Sequence, residues 1–326
     1  MEHMMRAVGY RTPGGPSVLE DLELAAPTPG PRDLLVRVEA VSVNPVDVKV
    51  RAGTDPGGEP RVLGFDAAGV VQAVGAEVTL FAPGDEVYYA GSIDRPGTNQ
   101  ELHLVDERIA GRKPVSLGFA EAAALPLTAI TAWETLFDRF RLGADSTGTL
   151  VVLGAAGGAG SMVIQLARAL TKLRVIGTAS RPDSRQWALD LGAHAVVGHD
   201  ELPEDVDYIF SPFTAGRIED FARALRPGGA ITAIDEPPGL DLLPLKVKSI
   251  SFHWELMFTR PLFRTPDMIV QHELLNRVAE LVDAGTVRHT MTAHLGRIDA
   301  EGLRKAHELV EDGHMTGKVV LSGFRD

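Results

Sequence analysis

The chain has 326 residues and no Cys, so it is long enough for two cores of about 150 residues each and cannot use disulfides, thiolate chemistry or Cys-based zinc sites. A formal net charge of -12 repels phosphate backbones, so no nucleic-acid partner is expected. No uninterrupted apolar stretch is long enough to span a membrane, and the N-terminus has no basic region leading into an apolar core; together with the missing Cys this predicts a cytoplasmic protein without a membrane partner.

Met1-Glu2-His3-Met4 reads as an addition before a start at Met4 or Met5 and is left out of the fold reading. Residues 5–125 are rich in strand and turn signals. Leu34–Val41 alternates imperfectly, as a half-exposed strand does, and Gly69–Gly75 and Asp85–Tyr89 are further short strands bounded by Gly and Pro. The texture changes near Pro126. A helical pattern covers Thr128–Arg141, and strands then alternate with helices. Thr149–Leu153 is a continuous apolar run, as in a strand buried on both faces of a parallel sheet. A helix over Ser161–Leu173 follows, then a strand at Arg174–Thr178 and a helix over Arg185–Leu191 stopped by Gly192. Next come strands at Ala195–Val197 and Tyr208–Phe210, a helix to Leu225, a break at Pro227-Gly228-Gly229, and a strand at Ala230–Ile234. This succession predicts an α/β fold with a doubly wound parallel sheet beside a β-rich domain. The alternation ends near Phe258; Pro266–Ala284 reads as a long helix and Lys318–Leu321 as a last strand returning to the first domain. The expected division is 1–126, 127–258 and 259–326.

The segment from Val151 to Ser161 joins a buried strand to a helix through Gly154, Ala155, Ala156, Gly157, Gly158, Ala159 and Gly160. A dinucleotide pyrophosphate approaches the backbone at such a helix N-terminus, where free N–H groups and the dipole favour negative charge. Gly157 and Gly158 remove side chains from that path, and Gly160 allows the helix to lie close to the strand. Ala155 takes the place of the first glycine, so the match is A-x-G-x-x-G. The next strand ends in Ser180-Arg181 where NAD enzymes place an acid against the ribose 2′-hydroxyl. A hydroxyl and a guanidinium there, with Arg185 one turn on, suit a 2′-phosphate, so the expected cofactor is NADPH. Ser211 ends the fourth strand and Asp235 follows the fifth, both at the carboxyl edge of the sheet, where ligands bind.

With Val43–Asp47, Leu63–Val71, Pro83–Val87, Ala122–Ala129 and Gly317–Leu321, the chain resembles the medium-chain dehydrogenase/reductase superfamily on its zinc-independent quinone oxidoreductase side, a branch whose members are often labelled zinc-type alcohol dehydrogenase-like. The resemblance covers nearly the whole chain. It implies a GroES-like catalytic domain, a Rossmann domain and a homodimer. It also implies site residues: Asn44, Asp47 and Lys49 around the nicotinamide, with Lys49 where a Tyr is usual, and Thr128 beside it. His199 falls where relatives have a Tyr near the adenosine phosphate, and Lys318 is placed to reach the cofactor or a backbone carbonyl. Asn44 is expected to hydrogen-bond the nicotinamide or a substrate oxygen, Lys49 to stabilise a developing enolate, and Asp47 to orient Lys49. Tyr88, Tyr89, Trp133 and Phe258 are either an aromatic cleft lining or core.

Zinc-dependent relatives place a Cys near Asn44 and a His after Gly64. Here those places hold Asn44 and Phe65, and Asp66 alone survives as a carboxylate, so no metal is expected. Without a Lewis acid, a saturated ketone is a demanding acceptor, whereas a quinone or enone delocalises the incoming charge and needs only hydrogen-bond donors and a proton source. The leading expectation is therefore an NADPH-dependent reductase of quinones or α,β-unsaturated carbonyls. A ketone or alcohol dehydrogenase that replaces zinc by Lys49, and an NADPH-binding sensor or RNA-binding protein with little turnover, are the alternatives.

Overall fold

The computed structural model describes residues 4–324; the expected start at Met4 or Met5 turns on residues 1–3, which lie outside them. The chain forms two units, one running to Leu127 and resuming at Phe258, the other spanning Thr128–Met257.

The first unit begins with β1 (Met4–Tyr10) and β2 (Glu20–Ala25), an antiparallel pair with Met5 opposite Leu24 and Gly9 opposite Glu20. In β3 (Asp33–Ser42), Leu34, Val36, Val38 and Ala40 are buried and Arg37 is exposed, the period of two that a sheet with one covered face imposes. The strand alternates imperfectly because its last residues, Val41 and Ser42, are both buried. Helix α1 (Pro45–Gly53) follows, with Pro at its first position, where the missing N–H is not needed. Then come β4 (Arg61–Val62), β5 (Ala67–Val74), β6 (Glu86–Tyr89), β7 (Leu102–Asp106), β8 (Ala110–Arg112) and α2 (Phe119–Ala123).

Helix α3 (Pro126–Trp133) does not continue regularly to Arg141 as the sequence pattern suggests. It passes into a π-helical turn, Glu134–Arg139, in which the Phe140 amide donates to the Thr135 carbonyl five residues back. The π turn spans only six residues, too short a window for its departure from the 3.6-residue period to show in the sequence pattern.

The second unit is built on β9 (Thr149–Val152), α4 (Gly158–Leu170), β10 (Arg174–Thr178), α5 (Pro182–Asp190), β11 (Ala195–Val197), β12 (Val206–Ser211), α6 (Ile218–Ala224), β13 (Leu225–Ala233) and β14 (Ser251–Trp254). These strands are all parallel in the order β11-β10-β9-β12-β13-β14. The order reverses between β9 and β12, the switch point where open α/β sheets bind ligands. Several expected boundaries move. Helix α4 starts at Gly158 rather than Ser161 and ends at Leu170 rather than Leu173, where the Thr171 hydroxyl folds back onto the Ala167 carbonyl at 2.6 Å. Helix α5 starts at Pro182, three residues before Arg185, because Pro suits the first turn. Pro227-Gly228-Gly229 is not a break before a strand; it is an irregularity inside β13, where the pairing with β12 shifts register. Strand β14 is a sixth strand with no sequence prediction behind it.

After α7 (Thr259–Phe263) the expected long helix is shorter: α8 spans Val270–Asp283, because Thr265–Asp267 is taken up by turns ahead of it. Strand β15 (Met291–His294), α9 (Ala300–Glu311) and β16 (Lys318–Ser322) complete the first unit. Strand β16 pairs antiparallel with β3, Val320 opposite Ser42, in a sheet ordered β15-β16-β3-β5-β6-β8 with β7 also on β3. That register carries the start of β16 past the end of β3 to Val43 and Asn44.

The core under one face of the nucleotide-unit sheet packs Val151, Ile176, Ile209 and Ile231 against Ile218 and Phe221 of α6, with Phe221 fully buried. Truncating such a ring leaves a cavity as well as lost transfer energy. Phe221→Ala is expected to destabilise the protein by about 3–5 kcal/mol, measured by urea denaturation.

Candidate functional site

In the second unit the glycine turn follows β9 directly. Gly154 takes φ +61°, so the tight turn is made one residue before the position occupied by Ala155. The Ala155 methyl lies where a Cβ on Gly177 of β10 would sit, 2.7 Å from it; Gly177 thus makes room for the Ala that replaces the motif's first glycine. A Cβ on Gly160 would lie 2.4 Å from the Gly154 carbonyl, so this glycine is required for α4 to lie against the turn. Gly157 caps the helix, and the first-turn amides of Gly158, Ala159 and Gly160 have no carbonyl four residues back to bond within α4. Ala156, beside them, is buried. These amides and the positive end of a 13-residue helix form an anion-binding end of the kind a pyrophosphate uses.

Around that turn the structure gathers most of the predicted cofactor residues. Ser180 and Arg181 are exposed at the tip of β10, and Arg181 Nη2 donates to Ser184 Oγ at 3.1 Å. Arg185 Nη1 donates to the Val196 carbonyl at 3.3 Å. Thr178 Oγ1 accepts from the Gly154 amide at 3.3 Å and lies 2.9 Å from His199 Nδ1, so the β10 threonine ties the glycine turn to His199.

Two predicted contacts are corrected. The Ser211 hydroxyl does not face an open site; it donates to the Phe213 carbonyl at 2.7 Å and accepts the Phe213 amide at 3.0 Å. Asp235 accepts the Thr214 amide at 2.7 Å and the Thr214 hydroxyl at 2.9 Å. Both shape the loop after β12. Phe213 on that loop is missed by sequence reasoning. Its ring is 60% exposed, and its edge would lie 3.3 Å from a Cβ on Gly154, so a solvent-facing aromatic stands over the glycine turn at the switch point. Its one sequence signal is a large apolar residue immediately after a strand end.

In the first unit, Asn44 is the N-cap residue of α1 and Asp47 sits in its first turn. Asp47 does not orient Lys49. Its carboxylate accepts the Asn44 amide at 2.8 Å and the Gly64 amide at 3.0 Å. It is buried while Lys49 lies on the exposed side, as residues two apart on a helix must. Burial pushes Asp47 up to about 7. Nor is Asn44 directed at a ligand: Nδ2 donates to Asp66 Oδ2 at 2.8 Å and, weakly, to the Phe65 carbonyl at 3.5 Å, while Oδ1 accepts from Lys318 at 2.5 Å.

Lys318 does reach a backbone carbonyl, and more. Its ammonium, 4% exposed, donates to Val43 O at 3.0 Å, Asn44 Oδ1 at 2.5 Å and Asp66 Oδ2 at 3.2 Å, one acceptor for each proton. Asp66, fully buried, also accepts from Ser42 Oγ and from the Leu127 amide, both at 2.8 Å. Burial pushes Lys318 down and Asp66 up, and each is drawn back toward its charged form by the other. Thr128, buried next to Leu127, lies in the first turn of α3. Among the suggested cleft aromatics, Tyr88 and Tyr89 are core: Tyr88 donates to the Leu275 carbonyl at 2.5 Å, and Tyr89 stacks on His103 at 5.4 Å. Phe258 is also buried, edge-on to Phe65 at 5.1 Å.

The alcohol dehydrogenase GroES-like domain family matches residues 30–134, and the zinc-binding dehydrogenase family matches residues 186–321. A zinc-type alcohol dehydrogenase-like protein of Staphylococcus aureus is 40% identical over 98% of this chain and 100% of its own length. An NADPH-dependent alkenal/one oxidoreductase of Arabidopsis thaliana is 28% identical over 97% of this chain and 79% of its own. A solved structure described as a putative zinc-dependent alcohol dehydrogenase protein from Rhizobium etli superposes with a TM-score of 0.96 at 48% identity, covering 100% of both chains.

Those descriptions imply zinc, and the donor set does not fit it. Of the residues at the relatives' metal positions, Asn44 and Phe65 offer a carboxamide and a hydrocarbon, and Asp66 already accepts four donors, one of them an ammonium. Among the described residues no three His, Cys, Asp or Glu side chains group as a metal site. Lys318 supplies a fixed positive charge beside Asp66. Lys318→Met therefore strands a buried carboxylate, and a loss of about 3–5 kcal/mol is expected in urea denaturation at pH 8. The deficit relative to the unaltered protein shrinks as the pH is lowered, because a protonated Asp66, whose folded pKa is raised by burial, needs no counter-charge.

Proposed function

Because the chain belongs to the medium-chain dehydrogenase/reductase superfamily, we propose that it is an NADPH-dependent, zinc-independent reductase that reduces a quinone or an α,β-unsaturated carbonyl. The observation that carries this reading is the Lys318 ammonium bonded to Asn44 and Asp66. With that charge saturated by three acceptors and no donor set for a Lewis acid, the acceptor itself has to spread the incoming charge, which conjugated carbonyls and quinones do. The name of the Arabidopsis relative, an NADPH-dependent alkenal/one oxidoreductase, supports the same class.

The nicotinamide cofactor, when bound, supplies the hydride. The residues of this chain hold it: the first-turn amides of α4 receive the pyrophosphate, and Ser180 and Arg181 receive the 2′-phosphate, with Ser184 steadying the guanidinium. His199, held against Thr178, lies on the same edge of the sheet. We further propose that the protein acts as a homodimer on small electrophiles and takes no nucleic-acid partner; light scattering in solution, with and without added nucleic acid, checks both.

Steady-state kinetics with NADPH and NADH against a panel of quinones, enones and saturated ketones test the main reading. A clear preference for NADPH and turnover of conjugated acceptors are expected. Preference for NADH, or activity on saturated ketones alone, overturns it. Arg181→Ala removes a charge-assisted contact of about 1.5–3 kcal/mol, so KM for NADPH is expected to rise roughly ten- to hundredfold while KM for NADH changes little.

A further inference from the structure

The methyl of Ala155 fills a space that strand β10 leaves open. A Cβ on Gly177 would lie 2.7 Å from the Ala155 Cβ, closer than two carbons approach unless one of them moves. Its other neighbours would be in ordinary contact: Ala188 Cβ of α5 at 3.6 Å and Val196 Cγ2 of β11 at 3.7 Å. Ala155 is thus the one obstacle to a side chain at 177, and the missing side chain at 177 is what admits the methyl at 155.

Neither residue can give way by itself. Gly177 is paired on both sides, opposite Val152 of β9 and Val196 of β11, so two ladders fix its Cα. The Ala155 amide donates to the Thr178 carbonyl at 3.1 Å, and the Gly154 amide before it donates to Thr178 Oγ1 at 3.3 Å. Helix α4 closes on the same turn. The Gly157 amide donates to the Gly154 carbonyl at 3.0 Å, and a Cβ on Gly160 would lie only 3.0 Å from the Ala155 Cα. Backbone of the turn therefore packs directly on backbone of the first helical turn. A push on Ala155 is passed to the segment that carries the amides of Gly158, Ala159 and Gly160, because a close-packed interior transmits strain.

We infer that Gly177 is a positioning residue for the dinucleotide, setting through Ala155 where the α4 amides stand, an assignment that rests on the reading of that helix end as a pyrophosphate site. The methyl at 155 and a side chain at 177 compete for one space, and either of them alone fills it. Moving the methyl from β9's turn to β10 therefore preserves the turn, whereas adding a second methyl displaces it. The pyrophosphate is common to NADPH and NADH, so displaced amides weaken both alike. Loss of Arg181 differs in kind, because it bears on the 2′-phosphate alone.

Isothermal titration calorimetry of the full chain with NADPH and with NADH tests this in the unaltered protein, in Gly177→Ala, in Ala155→Gly and in the double variant. Gly177→Ala is expected to weaken both dinucleotides roughly ten- to hundredfold, as when one backbone hydrogen bond to a charged oxygen is lost, with the ratio of the two affinities unchanged. Ala155→Gly alone is expected to stay within about fivefold of the unaltered protein, the cost of a looser turn. Adding it to Gly177→Ala restores binding to that level. Restoration separates the steric pair from a general loss of packing, since two independent defects add. Unchanged affinity in Gly177→Ala, or a double variant as weak as Gly177→Ala, overturns the inference while the unaltered protein still binds. If the unaltered protein binds neither dinucleotide, the cofactor reading itself falls and takes the inference with it. Should Gly177→Ala fail to fold, the double variant decides: folding with restored binding supports the pair, and failure to fold or to bind sinks it.

Discussion

Lys318 enters the first unit in a place where its charge has to be met by the protein itself, and much of the local geometry follows from that requirement. Removing an ammonium from water is tolerable only when its protons all find acceptors. The acceptors come from separate stretches of chain. The register of β16 on β3 sets the lysine beside the Val43 carbonyl, the start of α1 supplies Asn44, and the lead into β5 supplies Asp66. Asp66 in turn fixes Ser42 and the Leu127 amide. Asp47 holds the turn before it by taking the Gly64 amide, at a glycine whose φ of +112° excludes most other residues. The cluster is closed: its donors and acceptors are matched inside the unit. Sequence relatives that bear a zinc name therefore share with this chain a framework, whereas the charge at its centre is supplied by a side chain.

The glycine turn obeys a similar economy of space. A fingerprint read position by position finds Ala155 where a glycine belongs and scores the motif down. In three dimensions the departure is compensated twice, by Gly154 taking the left-handed turn and by Gly177 leaving room on the neighbouring strand for the alanine methyl. Gly177 is outside the motif by any linear reading, being on the second strand of the unit. Motif and compensating residue are separated in sequence and adjacent in space because parallel β9 and β10 align Val152 with Gly177.

The fold was legible wherever burial imposes a period. The apolar run at 149–153, the alternation in β3 and the succession of strands and helices across the second unit were readable because each reflects which faces are covered. What was not legible depends on local hydrogen bonding or on partners far along the chain. The π turn at Glu134–Arg139 is six residues long and leaves no distinct period in the sequence. The edge strand β14 carries the half-exposed Phe252 and His253 and the exposed Ser251 and Trp254, so it lacks the apolar continuity that marked its neighbours. In the site, residue types locate polar groups at element ends without giving the bonds they make. Asn44, Asp47, Lys318, Ser211 and Asp235 all sit at element ends, as expected of functional groups, yet each is bonded within the protein. Sequence spacing says that a polar side chain is near a strand end; it does not say whether a neighbouring amide has already claimed it.

That distinction bears on how the candidate site does its work. A polar group bonded on all sides contributes orientation, and one left open contributes contact. By this criterion Thr178, Ser211, Thr214 and Asp235 set the shape of the loops at the switch point, while the α4 amides, Ser180, Arg181 and the exposed Phe213 ring present themselves outward. Contacts made by backbone amides on a fixed helix end cost little reorganisation when an anion arrives, because the amides are already aimed. Among the residues that sequence reading proposes as ligands, Ser211 and Asp235 are therefore bonded into the scaffold of the loop after β12. Changing one of them is expected to act on binding through the geometry of its neighbours, whereas changing Arg181 acts on a charge that faces solvent directly.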